Sequence, residues 1–216
     1  MSKLKRWSVL AAGMSFLFAG CASMTTFQTA ETLDPGQGTY YAAYVPTKAP
    51  NFLVVDSTLD YKTGEVGGRL GIFPNFDLGA KVYPVGALFD GKYQFLDAGM
   101  YKAAGDLGFG YMTITYSSDS DTSKTSILDI TPMMLFTVRP VDWVSFTIAP
   151  KGLMRVSMPE GGETGYTFLG GGTGTLKFHV GNLGAFVGEY GYVTGDYSMS
   201  HVALGVEWPF SLFGQN

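Results

Sequence analysis

The chain has few of the residues that make a large surface soluble in water. Charged residues are only 15% of its 216 residues, aromatic residues are another 15%, and glycine occurs 30 times. A soluble domain normally has about 25% charged residues. We therefore expect much of the surface to face membrane lipid instead of water.

Clustered positive charge is also missing. The formal net charge is −4, and the 14 lysines and arginines are scattered along the chain. Proteins that bind nucleic acid through its phosphates usually present a basic patch. The sequence therefore excludes a nucleic-acid partner.

No apolar run is long enough to cross a membrane as a helix, which takes about 20 residues. The run 7–19 has 13 residues and follows the basic residues Lys3, Lys5 and Arg6. A basic start followed by an apolar run of this length is typical of a cleaved signal peptide. The sequence predicts such a peptide over residues 1–20.

Cysteine occurs once, at the end of this run. The sequence Phe18-Ala19-Gly20-Cys21 resembles the lipobox of bacterial lipoproteins, with phenylalanine where leucine is usual. The resemblance implies lipid attachment at Cys21, and ordinary cleavage nearby is the alternative. Residues 21–36 have no sustained period and end in the Pro35-Gly36 turn, so they are predicted to be a lipidated periplasmic tether.

What the chain does have is alternation with a period of two. From Tyr166 to His179 the even positions are apolar or glycine, and the odd positions include Lys177 and His179. After a turn at Gly181-Asn182, further segments put aromatic residues on one face and charges on the other. Such segments are long antiparallel strands with one apolar face, as in the wall of a membrane barrel.

Counting such segments predicts an all-β fold, an antiparallel up-and-down transmembrane β-barrel of about ten strands over residues 37–209, with 210–216 as a tail. Ten is even, as in single-chain bacterial barrels. The predicted strands are about 38–47, 63–73, 76–84, 87–96, 102–116, 124–139, 143–156, 164–179, 182–194 and 197–208.

Alternate connections are short, for example Pro74-Asn75 and Gly181-Asn182, and the longest ones fall between them. Short turns face the periplasm in such barrels and longer loops face outward. Both chain ends, and a lipid on Cys21, are therefore expected on the periplasmic side. The interval 48–62 is predicted to be a loop, with a further strand pair or a lumen plug as alternatives.

Several stretches carry a likeness to a known group. They are Cys21 with Gln28-Thr29-Ala30, Thr32-Leu33-Asp34-Pro35-Gly36, Asp77-Leu78-Gly79 and Lys92-Tyr93-Gln94. With the glycine-punctuated strands, they resemble small outer-membrane β-barrel lipoproteins of diderm bacteria. The resemblance implies the cell outer membrane and the barrel fold, and it brings no catalytic residues.

The charged residues of the strands fall on the face opposite the apolar one. Seven acids and seven bases share that phase, so they are predicted to form a paired charge network in the lumen. They are Glu65, Arg69, Asp77, Lys81, Asp90, Lys92, Asp106, Asp129, Arg139, Lys151, Arg155, Lys177, Glu189 and Glu207. A narrow pore for small solutes, lined by the same residues, is the alternative.

An enzyme is the hypothesis of a different class. His201 is predicted near the outer rim with Asp196, Ser198 and Ser200, which are the residue types of a hydrolase acting on lipid or peptide. Serine and aspartate are also the ordinary residues of exposed hairpins. Asp119 begins a segment like a calcium loop, but Lys124 stands where glycine is needed. We therefore expect no enzyme, metal or cofactor, and a monomer with a structural or surface-interaction role whose protein partner is unknown.

Overall fold

The computed structural model describes residues 25–50, 58–118 and 121–212, and most of them lie in β-strands. A short 3₁₀ helix, Gly181–Leu183, joins the eighth and ninth strands. The ten strands in chain order are β1 (Gln37–Pro50), β2 (Thr58–Phe73), β3 (Phe76–Tyr83), β4 (Gly86–Ala98), β5 (Tyr101–Ser118), β6 (Asp121–Val141), β7 (Val144–Pro159), β8 (Gly165–His179), β9 (Ala185–Gly195) and β10 (Met199–Ser211).

The sheet closes on itself. Each strand pairs antiparallel with the next in sequence, and β10 pairs with β1 from Gln37↔Ser211 to Lys48↔Ser200. Closure leaves no sheet edge along the wall, which a barrel in lipid requires because no water is there to satisfy edge groups. The predicted up-and-down barrel and its count of ten strands are confirmed.

Burial along the strands is the reverse of that in a soluble protein. In β3 the charged residues Asp77 and Lys81 are buried, whereas Leu78 and Val82 are exposed. Exposed large apolar side chains occur on all ten strands. The barrel therefore has a polar lumen and an apolar outer wall, as expected for a surface that lipid covers.

The two ends of the barrel differ. One end, here called the turn end, has the connections at Asn75, Gly99, Asp142 and residues 180–184, together with the start of β1 and the end of β10. The other end, called the loop end, has the connections 51–57, 84–85, 119–120, 160–164 and 196–198. The first and last strands thus meet at the turn end.

Aromatic side chains line the outside of the turn end. Trp143 stacks on Phe178 with ring centroids 6.3 Å apart, and Tyr40 lies 5.7 Å from Trp208. Amphipathic rings favour the boundary between hydrocarbon and water. This belt is therefore the expected level of one membrane surface.

Two predicted boundaries were wrong. Most of the interval 48–62 is strand, because β1 and β2 continue to pair up to Pro50↔Thr58, and residues 51–57 lie outside the described residues. The β1–β2 hairpin extends beyond the neighbouring β3–β4 hairpin at the loop end. This extension explains why the hydrophobic alternation of residues 48–62 is weak. At the other end, Phe210 and Ser211 belong to β10, where Phe210 pairs with Gly38.

Among the described residues there is no helix long and apolar enough to cross a membrane.

Candidate functional site in the barrel lumen

Residues 25–36, here called the lumen segment, enter the barrel from the turn end, where Asp34 and Pro35 are exposed. Residues 25–30 are buried, and Phe27 packs against Val45, Val187 and Ala203 of the wall. This differs from the tether predicted for residues 21–36. The difference has a physical reason. Wall side chains can hold a polar stretch inside the barrel by binding its main chain, and such contacts leave no hydrophobic period in the sequence.

Wall side chains bind the main chain of this segment. Glu189 accepts hydrogen bonds from the backbone N–H groups of Thr26 and Phe27, each at 2.8 Å. Thr137 Oγ1 accepts from the N–H of Ala30 at 2.7 Å, and Gln94 Oε1 accepts from the N–H of Thr32 at 2.9 Å. These contacts satisfy backbone donors that burial would otherwise leave unpaired.

Two lysines satisfy the carbonyl groups. Lys92 Nζ donates to the carbonyl oxygens of Thr29 at 3.0 Å and Glu31 at 2.6 Å. Lys81 Nζ donates to the carbonyl oxygen of Thr25 at 2.6 Å. Because charge-assisted bonds are stronger than neutral ones, these lysines fix the segment in place.

A cluster of opposite charges lies beside the segment. Arg69 Nε donates to Asp77 at 2.7 Å, Arg69 Nη1 contacts Asp90, and Arg69 Nη2 lies 3.5 Å from Asp106. Lys92 Nζ lies 3.3 Å from the other oxygen of Asp77. Three carboxylates thus share two cations, which offsets part of the cost of burying each charge.

Two further ion pairs connect strands of the wall. Arg155 makes a bidentate pair with Asp129, in which both nitrogen–oxygen distances are 2.8 Å, and also donates to Tyr197 Oη at 3.0 Å. Lys177 Nζ donates to Glu207 at 2.6 Å. The pairing ties β6 to β7 and β8 to β10 through their inward faces.

The fourteen residues that the sequence assigned to the lumen all lie on the inner face of the wall. Eleven are buried, namely Glu65, Asp77, Lys81, Asp90, Lys92, Asp106, Asp129, Lys151, Arg155, Glu189 and an almost fully buried Arg69, whereas Arg139, Lys177 and Glu207 are partly exposed near the turn end. Cys21, the expected lipid site, lies outside the described residues.

Sequence reasoning missed the ion pairs that Glu31 makes at the turn end. Glu31, in the lumen segment, lies 3.4 Å from Lys102 Nζ and 3.3 Å from Arg139 Nη1. Lys102 has the same parity as Asp106 on β5, which was a usable signal for its inward direction. Nothing in the local sequence indicated that Glu31 enters the barrel.

The hydrolase hypothesis depended on His201. Its ring is buried in the lumen, where Nε2 lies 2.8 Å from Glu189, the carboxylate that binds the lumen segment. Ser198 instead contacts Tyr192 and Thr194 at the exposed rim. His201 and Ser198 therefore do not form the nucleophile and base pair that the hypothesis required.

A small cavity lies beside the segment. A cavity of about 40 Å³ lies among Phe27, Lys81, Leu88 and Lys151. A water molecule needs roughly 10–15 Å³ measured in this way, so the cavity has room for a few waters. In the described part of the chain, no group of three or more His, Cys, Asp or Glu side chains is arranged to hold a metal ion.

No protein-family model matches the chain, and no curated protein matches it. Solved structures do match in fold. The outer membrane protease OmpT from Escherichia coli aligns with a TM-score of 0.50 and 10% identity, over 84% of this chain and 100% of that one. This likeness shows the fold of an outer-membrane barrel.

Two other matches are weaker in fold. Ail, the attachment invasion locus protein of Yersinia pestis, crystallised with the heparin analogue sucrose octasulfate, has a TM-score of 0.47 and 12% identity, over 82% of this chain and 99% of Ail. Neisserial surface protein A has a TM-score of 0.42 and 12% identity, over 81% of this chain and 99% of that one.

Proposed function

We propose that the protein is a lipid-anchored outer-membrane β-barrel whose lumen its own amino-terminal segment closes, with a structural or surface-interaction role and no enzymatic activity. The observation that carries this proposal is the lumen segment itself. Its main chain is bound by six wall side chains of four different strands, which are Asp77, Lys81, Lys92, Gln94, Thr137 and Glu189.

The alternative of a narrow solute pore has less support. An open pore needs a continuous water path, whereas the lumen segment lies in that path and the cavity beside it measures about 40 Å³. Hydrolysis has less support because His201 is paired with Glu189 inside the lumen. OmpT is a protease, but at 10% identity its activity is not transferred to this chain.

Lipid attachment at Cys21 and location in the outer membrane are tested together. Cells grown with a radioactive fatty acid should give a labelled protein in the outer-membrane fraction, and Cys21→Ser should lose the label. The control Ser23→Ala, two residues away, should keep it. An intact mass that shows an unmodified amino terminus beyond residue 21 would reject the lipid anchor.

A surface-interaction role is favoured by the uneven loop end. β5 and β6 pair as far as Ser118↔Asp121, whereas the adjacent β3–β4 hairpin ends at Tyr83↔Gly86. The β5–β6 hairpin is therefore expected to project beyond the membrane surface, with an outward polar group formed by Tyr111, Thr113 and Ser126.

A variant with a shortened β5–β6 hairpin distinguishes a structural role from a surface-interaction role. A variant that replaces residues 114–125 by two glycines removes its outer part at the paired positions Ile114↔Thr125. If the role is structural, this variant should restore the detergent resistance of a deletion strain as fully as the wild type does. If the role is surface interaction, the variant should reach the outer membrane and still fail to restore the property that the deletion strain has lost.

A further inference from the structure

The wall is uneven at the loop end, because two strands extend beyond the short hairpin between them. β2 begins at Thr58, but its ladder with β3 covers only the part from Val66 onward. β5 ends at Ser118, but its ladder with β4 reaches only Met112. The β3–β4 hairpin therefore leaves a notch in the wall, with one strand edge on each side.

One side of the notch is formed by residues 113–118, here called the β5 edge. Thr113 donates its backbone N–H to the carbonyl oxygen of Val85 at 3.1 Å, so this N–H points toward β4. Alternate residues of an antiparallel strand point their N–H and C=O groups to the same side. Thr115 and Ser117 therefore point theirs into the notch, where no strand of the described residues pairs with them.

The outer face of the wall changes from apolar to polar at the level of the notch. On β2, the exposed residue Val66 is followed toward the loop end by Lys62 and Asp60, which are also exposed. On β5, the exposed residue Phe109 is followed by the exposed Thr115. Unpaired backbone groups are not tolerated in lipid, whereas water can satisfy them. The two edges thus lie beyond the hydrocarbon, where a partner can reach them.

The two edges differ in charge. Residues 58–65 of β2 include Asp60, Lys62 and Glu65, and charged residues are one means by which edge strands avoid pairing. The β5 edge, Thr-Ile-Thr-Tyr-Ser-Ser, has no charged residue and no proline, and threonine, isoleucine and tyrosine favour strands. Of the two, the β5 edge is therefore the better template for a further strand.

We propose that the β5 edge binds an extended segment of another protein, which adds to the wall as a further strand. This inference rests on the proposed surface-interaction role and gives the chemistry of the partner. The main-chain groups of Thr115 and Ser117 provide hydrogen bonds to the added strand, and side chains on its two faces provide the specificity.

The neighbouring side chains define the two faces of the added strand. Toward the barrel axis, Ile114 and Val85 pack on an apolar cluster that contains Met112, and apolar residues of the added strand extend this cluster. On the outer face, the exposed Lys124 of β6 lies opposite Thr115. A residue of the added strand opposite Thr115 is two strand spacings, about 10 Å, from Lys124, which suits a glutamate.

A second copy of the chain does not fit the β5 edge. Two copies in one membrane are related by a two-fold axis along the membrane normal, so their β5 strands rise in the same direction. Barrel strands tilt by about 35–45°, so two such edges cross at roughly 70–90°. They cannot form an antiparallel ladder, and the partner is therefore a different protein.

Binding of a synthetic peptide to the purified, folded protein tests this proposal. The fluorescent peptide Thr-Thr-Val-Glu-Val-Thr-Thr has valines for the inner face and glutamate for the outer face, and a second peptide has lysine in place of glutamate. Thr115→Pro removes the N–H that points into the notch and keeps the ladder with β6, and Thr115→Val is its matched control. Fluorescence anisotropy measures the affinity of each combination.

The glutamate peptide should bind the wild type and Thr115→Val alike, and it should bind Thr115→Pro about tenfold more weakly, as expected for one lost hydrogen bond. Lys124→Glu should reverse the preference between the two peptides. Equal affinity for the wild type and Thr115→Pro, or no binding at about 1 mM peptide, would overturn the proposal. Should Thr115→Pro not fold, an unchanged peptide preference in Lys124→Glu overturns it.

Hydrogen exchange of the protein alone tests whether the β5 edge is open. The amides of Thr115 and Ser117 should exchange faster than those of Ile114 and Tyr116, which face β6, and the glutamate peptide should slow them. Slow exchange without peptide would mean that the chain itself covers the edge, which would overturn the proposal. Both measurements use purified protein, so they are independent of the role in the cell. Failure of the surface-interaction role appears instead in the deletion strain that carries the shortened β5–β6 hairpin.

Discussion

The carboxylate of Glu189 uses its two oxygens to accept the adjacent backbone N–H groups of Thr26 and Phe27, both at 2.8 Å. The same carboxylate contacts His201 Nε2 at 2.8 Å and accepts from Thr175 Oγ1 at 2.9 Å. One buried side chain therefore joins the lumen segment to β8, β9 and β10. These contacts indicate that the segment is bound at a specific position and does not merely fill the lumen.

Replacing Glu189 by glutamine should loosen the segment. The amide keeps one acceptor oxygen but has no charge, and hydrogen bonds to charged groups are worth about 1.5–3 kcal/mol each. We expect a loss of about 2–4 kcal/mol in the free energy of unfolding, on the same basis. Hydrogen exchange at Thr26 and Phe27 should become faster.

The matched control is Glu207→Gln, the same chemical change in the pair with Lys177. Because that pair does not contact the main chain of the segment, its loss should leave exchange at Thr26 and Phe27 unchanged. Equal protection of these two amides in wild type and Glu189→Gln would show that the carboxylate does not hold the segment.

The pair of Arg155 and Asp129 gives a second prediction. Arg155→Leu leaves the Asp129 carboxylate buried without its bidentate partner, a change that typically costs about 3–5 kcal/mol. Chemical unfolding in detergent should show this loss. Ile148→Leu, on the outer wall where Ile148 is exposed, should be almost neutral.

The double variant Asp129→Leu with Arg155→Leu removes both charges and should recover part of the stability, since no unpaired charge remains. Unfolding midpoints that are the same for Arg155→Leu and Ile148→Leu would mean that water reaches the lumen at Arg155. They would then argue against a closed lumen at this level.

The strands could be predicted from the sequence because their signal is local. Alternation of Leu78 and Val82 with Asp77 and Lys81 is visible within eight residues of β3, and lipid on one side forces it. The inward phase of the charged residues follows from the same alternation. The additional inward residue Lys102 shares that phase and was overlooked.

The lumen segment could not be predicted in this way. Its partners are far away in sequence: Glu189 is 163 residues from Thr26, and Thr137 is 107 residues from Ala30. Main-chain recognition also leaves no side-chain period in residues 25–36. The pairing of His201 with Glu189 was missed for a related reason, because strand parity gives the face of a residue but not its partner.

Two glycines provide a third prediction, about close packing around His201. A Cβ added at Gly191 would lie 2.1 Å from His201 Cε1, whereas a Cβ added at Gly170 would meet nothing within 4 Å. Gly191→Ala should therefore push the ring away from Glu189 and destabilise the barrel by about 1–3 kcal/mol.

Gly170→Ala should be neutral or slightly stabilising, since alanine restricts the unfolded chain. Thermal unfolding of the two variants, followed by the temperature at which their gel mobility changes, measures the difference. A Gly191→Ala barrel as stable as Gly170→Ala would mean that the ring of His201 is free to move.

The central claim, that the lumen segment closes the barrel, is tested most directly by single-channel recording in planar bilayers. The wild-type protein is compared with a variant that lacks residues 25–34, after circular dichroism has shown that both are folded barrels, and Gly170→Ala serves as the matched control. Closure by the segment predicts that the wild type and Gly170→Ala give no discrete open levels and that the deletion variant gives them. Open levels of the same size in the wild type and in the deletion variant would contradict the account.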